Sequence, residues 1–191
     1  SHLYVRNKKK AAEAVGIDFV LKTLPANITK LDIVATIQQL QKEKKLSGLI
    51  VQLPLPEPLY TQEVLNAIDP VIDVDCLTHE NLGKLVMKHQ RITPPTPGAV
   101  MAILTHLNVS FPGKRVVIIG VGALVGKPLA IMMMNERATV TTCNSATPNL
   151  SALCQEADII VTGVGKKYIL TGDMVKKDAI VIDTGVSFEN D

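Results

Sequence analysis

The sequence predicts an α/β fold of two lobes, the second built around a parallel sheet. Three observations carry this. Short apolar runs rich in β-branched residues alternate with helical segments along most of the chain, the order from which parallel sheets are built. One run, Val116 to Ile119, opens directly into Gly120, Gly122 and Gly126 and then into a second apolar stretch, Leu129 to Met134. Two proline clusters, Pro54 to Pro58 and Thr93 to Gly98, interrupt the alternation. The second cluster is the natural lobe boundary, giving residues 1–93 and 94–191.

From about Tyr4 to Val15 the chain reads as a helix with an alanine-rich and a lysine-rich face, stopped by Gly16 as a C-cap. Ile17 to Leu24 alternates and reads as a strand, closed by Pro25. Thr29 is an N-cap for a helix starting near Lys30, with Asp32 in its first turn and Ile33, Ile37 and Leu40 at helical spacing. Leu46 to Leu53 reads as a short buried strand, so the first lobe runs β-α-β. Pro54-Leu-Pro-Glu-Pro58 makes a rigid loop, Thr61 to Ile68 a short helix, and the segment from Asp73 to Leu85 reads as irregular. A helix is expected over Ala99 to Leu107. The second lobe then repeats: strands at Val116–Ile119, Ala138–Cys143, Asp158–Thr162 and Ala179–Asp183, helices at Pro128–Asn135 and Leu150–Glu156, and a short helix or turn at Thr171–Lys176.

Composition excludes several classes of function. The chain has 191 residues, 47% apolar and 20% charged, with a net charge of +2. That is the balance of an ordinary globular protein, and it predicts no nucleic-acid partner. Lys8 to Lys10 and Lys42 to Lys45 read as solvated helix faces, and the scarcity of aromatics argues against base stacking. Cys76, Cys143 and Cys154 are odd in number and lack CxxC spacing, so neither a disulfide framework nor a metal site is expected, and a reducing, cytoplasmic location is. No run approaches the roughly 18 apolar residues of a membrane span, and no signal peptide is legible. The chain opens on Ser1 without an initiator Met, as expected of a processed or partial product.

The glycine-rich stretch is the first chemical candidate. A buried strand, a glycine turn and a helix open a dinucleotide-binding βαβ unit, where glycines let the backbone approach a pyrophosphate at the helix N-terminus. The candidate cofactor residues are Gly120, Val121, Gly122 and Gly126, in a G-x-G-x-x-x-G spacing one residue longer than the common fingerprint. Glycines serving only a tight turn are the plain alternative. At the end of the next strand an NAD site usually offers Asp or Glu to the ribose. This chain offers Asn144 and Ser145, uncharged and tolerant of a 2′-phosphate, so NADP is preferred over NAD.

Five residues of the first lobe are further candidates. Tyr4 and Lys8 lie four apart on one helix face. Such a pair can serve acid–base work, although Lys8 also opens a lysine run that reads as a solvated helix end. Gln52 ends an apolar run, the place where open α/β sheets set ligands; it could equally satisfy loop backbone. Asp73 and Asp75 could flank a ligand, bind a metal or simply shape a turn, and no third carboxylate or nearby His completes a metal set. His79, His89 and His106 have no nucleophilic partner and read as surface residues.

Together these pieces resemble a known family. Tyr4-Val-Arg-Asn-Lys8, Gly48-Leu-Ile-Val-Gln-Leu-Pro-Leu-Pro56, Asp73-Val-Asp75, Pro94-Pro-Thr-Pro97, Val125-Gly-Lys-Pro128 and Val181-Ile-Asp183 are similar to the bifunctional methylenetetrahydrofolate dehydrogenase/cyclohydrolase family, over essentially the whole chain. The resemblance implies NADP-dependent oxidation of 5,10-methylenetetrahydrofolate to the methenyl form and hydrolysis of that form to 10-formyltetrahydrofolate. It further implies a homodimer, with tetrahydrofolate derivatives bound between the lobes. By motif, Lys8 matches the catalytic lysine, Tyr4 the tyrosine packed on folate, Gln52 the amide that tunes the lysine, and Asp75 the aspartate that holds the pterin.

The departures bear on the cofactor. The family commonly has Arg-Ser where this chain has Val121-Gly122, and an arginine there is a natural partner for a 2′-phosphate, so NAD is admitted beside NADP. Asn144 replaces a usual histidine, Cys76 a usual glycine, and Gly98-Ala99 shifts another. Both ends are expected to be short of the family's length. Two other readings stand beside this one: a shikimate dehydrogenase-like oxidoreductase, which leaves the Gln-Leu-Pro-Leu-Pro loop unexplained, and a non-catalytic folate- or nucleotide-binding module.

Overall fold

A computed structural model describes residues 2–43 and 45–185, with side chains from Tyr4 onward. The chain divides into two compact units, Ser1–Val74 and Asp75–Asp191.

The first unit contains α1 (His2–Ala14), α2 (Lys30–Glu43) and α3 (Gln62–Leu65). Gly16 ends α1 at φ +76°, and the Ile17 N–H bonds back to the Ala12 carbonyl at 2.9 Å. Such a left-handed residue terminates the helix because glycine adopts it without strain. At the start of α2, Thr29 and Asp32 cap each other: the Asp32 N–H donates to Thr29 Oγ1 at 3.2 Å and the Thr29 N–H to Asp32 Oδ2 at 3.3 Å. Ile33 and Ile37, one turn apart on α2, pack with Val64 and Ile68 to form this unit's core.

The two strands expected here do not form ladders. Ile17–Leu24 has no strand, and Ile17, Val20 and Leu21 are exposed. Leu46–Leu53 contributes one parallel bridge, Leu49 to Asp73, with the Leu49 N–H donating to Ile72 O at 2.8 Å. A ladder needs a neighbour whose peptide groups face it along several residues. Apolar alternation marks a segment suited to a sheet but says nothing about whether that neighbour exists.

The second unit contains α4 (His79–Val86), α5 (Pro95–His106), β1 (Arg115–Ile119), α6 (Gly126–Asn135), β2 (Thr139–Cys143), α7 (Leu150–Glu156), β3 (Ile159–Thr162), a 3-10 turn (Gly172–Met174) and β4 (Ile180–Asp183). The four strands form one parallel sheet in the order β2-β1-β3-β4. Strand periodicity sorts its side chains onto two faces. Val116, Ile118, Ile159 and Val161 pack with Val100, Leu104, Leu129 and Met133; Val117, Ile119 and Ile160 pack with Cys143, Cys154 and Ala157. Each large apolar side chain buried in this way contributes roughly 1.5–3 kcal/mol. Burial on both faces explains why β1 and β3 are continuous apolar runs rather than alternating ones.

Two helices differ from expectation. α4 occupies part of the segment read as irregular, and it starts where Thr78 Oγ1 accepts the Asn81 N–H. Its C-terminal end is tied to α6: Asn135 Nδ2 donates to Leu85 O at 3.1 Å, and Lys88 pairs with Glu136 at 2.8 Å. This packing joins α4 to the sheet unit, so the compact units divide at 74/75, ahead of the 93/94 lobe boundary drawn from sequence. α5 begins at Pro95, because prolines in a first turn forgo only N–H groups that have no helical partner.

Candidate functional site

β1 lies between β2 and β3, and the chain leaves it first toward β2 and later toward β3. This reversal creates a switch point at the strands' carboxyl edge, where open α/β sheets bind ligands. Gly120 stands there at φ +103°, where a side chain would be strained; an added Cβ would also lie 2.8 Å from Val164 Cγ1 and 3.1 Å from Gly163 O. The turn after β3 therefore closes against the turn after β1. Gly126 opens α6 so near the turn that a Cβ would overlap Gly120 O and stand 2.8 Å from Gly120 C. Around Gly122 there is open space, with nothing within 4 Å of an added Cβ.

The first turn of α6 has no side-chain cap and no acidic residue, and Lys127 adds a positive charge. With the helix dipole, this favours an anion. The turn is thus a glycine cradle, folded tightly on itself at Gly120 and Gly126 and open at Gly122, with a helix N-terminus suited to an anion such as a pyrophosphate. Val121 is half-buried and Gly122 exposed.

Asn144 and Ser145 follow β2 on the same edge, both exposed. Asn144 organises a closed turn: its N–H donates to Thr147 Oγ1 at 2.9 Å and its Oδ1 accepts the Ala146 N–H at 2.9 Å. No carboxylate stands at the end of β2. Cys143, just inside, is buried, and burial pushes its thiol up, partly offset by the Thr147 hydroxyl. Cys154 is pushed up by burial and then by the nearby Cys143.

Sequence reading passed over two other residues of this edge. Thr162 and Asp183 are register partners closing β3 and β4, and they line a pocket of about 390 Å³. Their legible signal is the one that marked Gln52: a polar residue ending an apolar run.

In the first unit, α1 carries Tyr4, about half exposed, and Lys8, half-buried, four residues apart on one face. Gln52 is half-buried; its Nε2 donates to Leu53 O at 2.8 Å, while its buried Oε1 accepts no hydrogen bond among the described residues. An orphaned buried acceptor of this kind awaits a donor. Asp75, half-buried, begins the second unit between fully buried Asp73 and Cys76, the latter at φ 57°. The structure thus gathers the six candidate cofactor residues on one sheet edge and sets Tyr4 and Lys8 on one helix face. Among the described residues no group of three or more His, Cys, Asp or Glu could hold a metal, and no helix is long and apolar enough to cross a membrane.

A parallel sheet with a glycine cradle at its switch point defines an α/β nucleotide-binding protein of the Rossmann type. Residues 94–191 match the family description "Tetrahydrofolate dehydrogenase/cyclohydrolase, NAD(P)-binding domain" and residues 1–75 the corresponding "catalytic domain". The chain belongs to the tetrahydrofolate dehydrogenase/cyclohydrolase family. It is 42% identical over 188 residues to the bifunctional protein FolD of Helicobacter pylori, covering 98% of this chain and 65% of that protein. The chain therefore spans just under two thirds of the length of this curated relative. Among solved structures it resembles the bifunctional FolD enzyme of Campylobacter jejuni at a TM-score of 0.92 and 36% identity, covering 97% of this chain and 66% of that one. It also resembles the Trypanosoma brucei FolD, solved with NADP and an inhibitor, at a TM-score of 0.92 and 37% identity, covering 97% and 64%.

Proposed function

We propose that the protein oxidises 5,10-methylenetetrahydrofolate with NADP and hydrolyses the methenyl product to 10-formyltetrahydrofolate, within one-carbon metabolism. The observation that carries this reading is that the catalytic and NAD(P)-binding domains of one family follow each other in this chain. Bound dinucleotide would supply the hydride acceptor. The glycine turn from Gly120 through Val121 and Gly122 to Gly126 would hold its pyrophosphate, and Asn144 and Ser145 would meet its ribose. The absence of a carboxylate after β2 leaves a 2′-phosphate unrepelled, which supports NADP. NAD stays admissible because Val121 offers that phosphate no cation.

For the hydrolytic step, Tyr4 packs on the folate and Asp75 accepts from the pterin's N–H groups. Lys8 takes a proton from the attacking water as the C–O bond forms, then returns it to the nitrogen that leaves as the C–N bond breaks, while the remaining hydroxyl proton passes to solvent and the C–O bond becomes the formyl carbonyl. The buried Gln52 Oε1, which accepts no hydrogen bond among the described residues, supports this assignment, since a lysine ammonium is a donor that such an acceptor accommodates. We further read the protein as a cytoplasmic homodimer with functional lobes 1–93 and 94–191. Three buried cysteines that form no disulfide support a reducing compartment, the resemblance supports the dimer, and the NAD(P)-binding match spans the second lobe.

The test is to measure NADP reduction and methenyltetrahydrofolate hydrolysis separately. Lys8→Ala is expected to lower hydrolysis by about 10²-fold or more while dinucleotide binding persists. Hydrolysis that survives this change would remove Lys8 from the proton-transfer role. Folate binding with neither activity would instead identify a binding module.

A further inference from the structure

The carboxyl ends of β3 and β4 hold an oriented carboxylate that the reading above does not use. Thr162, 5% exposed, donates its hydroxyl to Asp183 Oδ1, and the Gly185 N–H donates to the same oxygen at 2.9 Å. The Thr184 hydroxyl in turn bonds Thr162 O at 2.8 Å, so the chain after β4 is stitched to β3. Two donors on one oxygen fix the carboxylate plane. Among the described residues no donor reaches Oδ2 and no cation pairs with Asp183. Its side chain is exposed at a pocket of about 390 Å³ that it lines with Thr162, Val164 and Leu170. Val164 also stands against the Gly120 turn, which places this pocket beside the switch point, on the side away from β2.

A dinucleotide laid across a switch point puts its two bases on opposite sides of the pyrophosphate. With the adenosine toward β2, the nicotinamide falls toward β3 and β4. We propose that Asp183 positions the nicotinamide ring by accepting a hydrogen bond from its carboxamide NH₂ at Oδ2, with Thr162 holding the carboxylate in orientation. This rests on the dehydrogenase reading and adds a residue to it. The carboxamide is the ring's one polar substituent, so a fixed acceptor for it sets which ring face meets the folate carbon. Such positioning acts on the chemical step as well as on binding.

The isosteric variant Asp183→Asn separates this role from a structural one. Its side-chain oxygen can still accept from Thr162 and Gly185, while a donor replaces the acceptor at the second position. The probe is the 3-acetylpyridine analogue of NADP, whose acetyl group keeps the carbonyl but has no NH₂. The readout is the ratio of kcat/KM for NADP to that for the analogue, taken beside NADPH binding by fluorescence and the melting temperature. In Asp183→Asn this ratio is expected to fall by about tenfold or more relative to wild type, as one charge-assisted hydrogen bond is exchanged for a mismatch. Thr162→Val, which removes one of the two donors to Oδ1, is expected to lower the same ratio by a smaller factor. It serves as the deciding variant where Asp183→Asn fails to fold. A wild-type ratio in a folded, NADPH-binding variant overturns the proposal alone. A wild-type protein that binds no dinucleotide overturns the dehydrogenase reading and the proposal with it.

Discussion

Gly126→Ala tests the geometry on which the nucleotide reading depends. The added methyl would overlap Gly120 O and lie 2.8 Å from Gly120 C and 2.9 Å from Val121 Cα, where ordinary contact begins at 3.4 Å. The first turn of α6 must therefore retreat by at least about 0.6 Å, the difference between 3.4 and 2.8 Å, and further to clear the oxygen. These neighbours are backbone and cannot rotate aside. Overpacking of this kind costs about 1–3 kcal/mol, or a fall in melting temperature of roughly 3–10 °C for a chain of this size. Ligand affinity suffers more, because a misplacement near 1 Å can cost about 10²-fold. Gly122→Ala is the internal control: its Cβ meets nothing within 4 Å, and wild-type stability is expected. The assays are thermal denaturation and NADPH fluorescence titration on all three proteins. If Gly126→Ala melts and binds like Gly122→Ala, the close approach of α6 to the Gly120 turn is wrong and the cradle with it.

Asp158 carries an acid-sensitive contribution. The Lys176 ammonium at 2.6 Å, and then the Arg115 N–H at 2.8 Å, hold its carboxyl below the usual range. A depressed folded-state value stabilises the protein above the unfolded pKa near ~3.9 and loses that stabilisation as pH falls toward the folded value. Asp158→Asn is expected to cost about 1 kcal/mol at neutral pH and to flatten the decline below pH ~4, read from denaturant midpoints at several pH values. The buried thiols give a second, chemical check. With Cys76, Cys143 and Cys154 inaccessible and the last two pushed up by burial, iodoacetamide should label none of them at pH ~8 until denaturant is added. Rapid native labelling, located by peptide mass, would show that the core around β2 and α7 opens.

The second unit was largely legible because its elements satisfy one another locally. Four apolar runs separated by helical segments admit few arrangements once connections are right-handed and parallel, and each expected strand lies within about a residue of its place. The first unit was less so. Ile17–Leu24 and Leu46–Leu53 carry the residue pattern of strands, yet one bridge at Leu49 is all the pairing they make. α4 was missed for the opposite reason. Its start depends on one hydroxyl, Thr78 to the Asn81 N–H, and its stability on packing against α6, and neither is prominent beside Asp73-Val-Asp75 in the sequence.

The candidate residues, named from sequence or passed over there, stand where chemistry coincides with the end of an element. Asn144 follows β2, Thr162 and Asp183 close β3 and β4, and Gln52 ends the apolar run of the first unit. A polar side chain in the middle of a doubly buried strand would cost about 1–3 kcal/mol without a partner. At the carboxyl end the same side chain can turn toward solvent, a neighbouring strand end or a ligand. In the second unit the parallel sheet then brings Asn144, Thr162 and Asp183 to one edge, while Gln52 belongs to the first unit and to no ladder. That is why a one-dimensional rule, a polar residue closing an apolar run, selects residues that lie together in three dimensions. What the rule omits is which of them is free to act. Asn144 spends its Oδ1 on its own turn, and Asp183 spends one oxygen on Thr162 and Gly185 but keeps the other. Only the hydrogen-bond pattern separates the residue that shapes the edge from the residue that can reach into it.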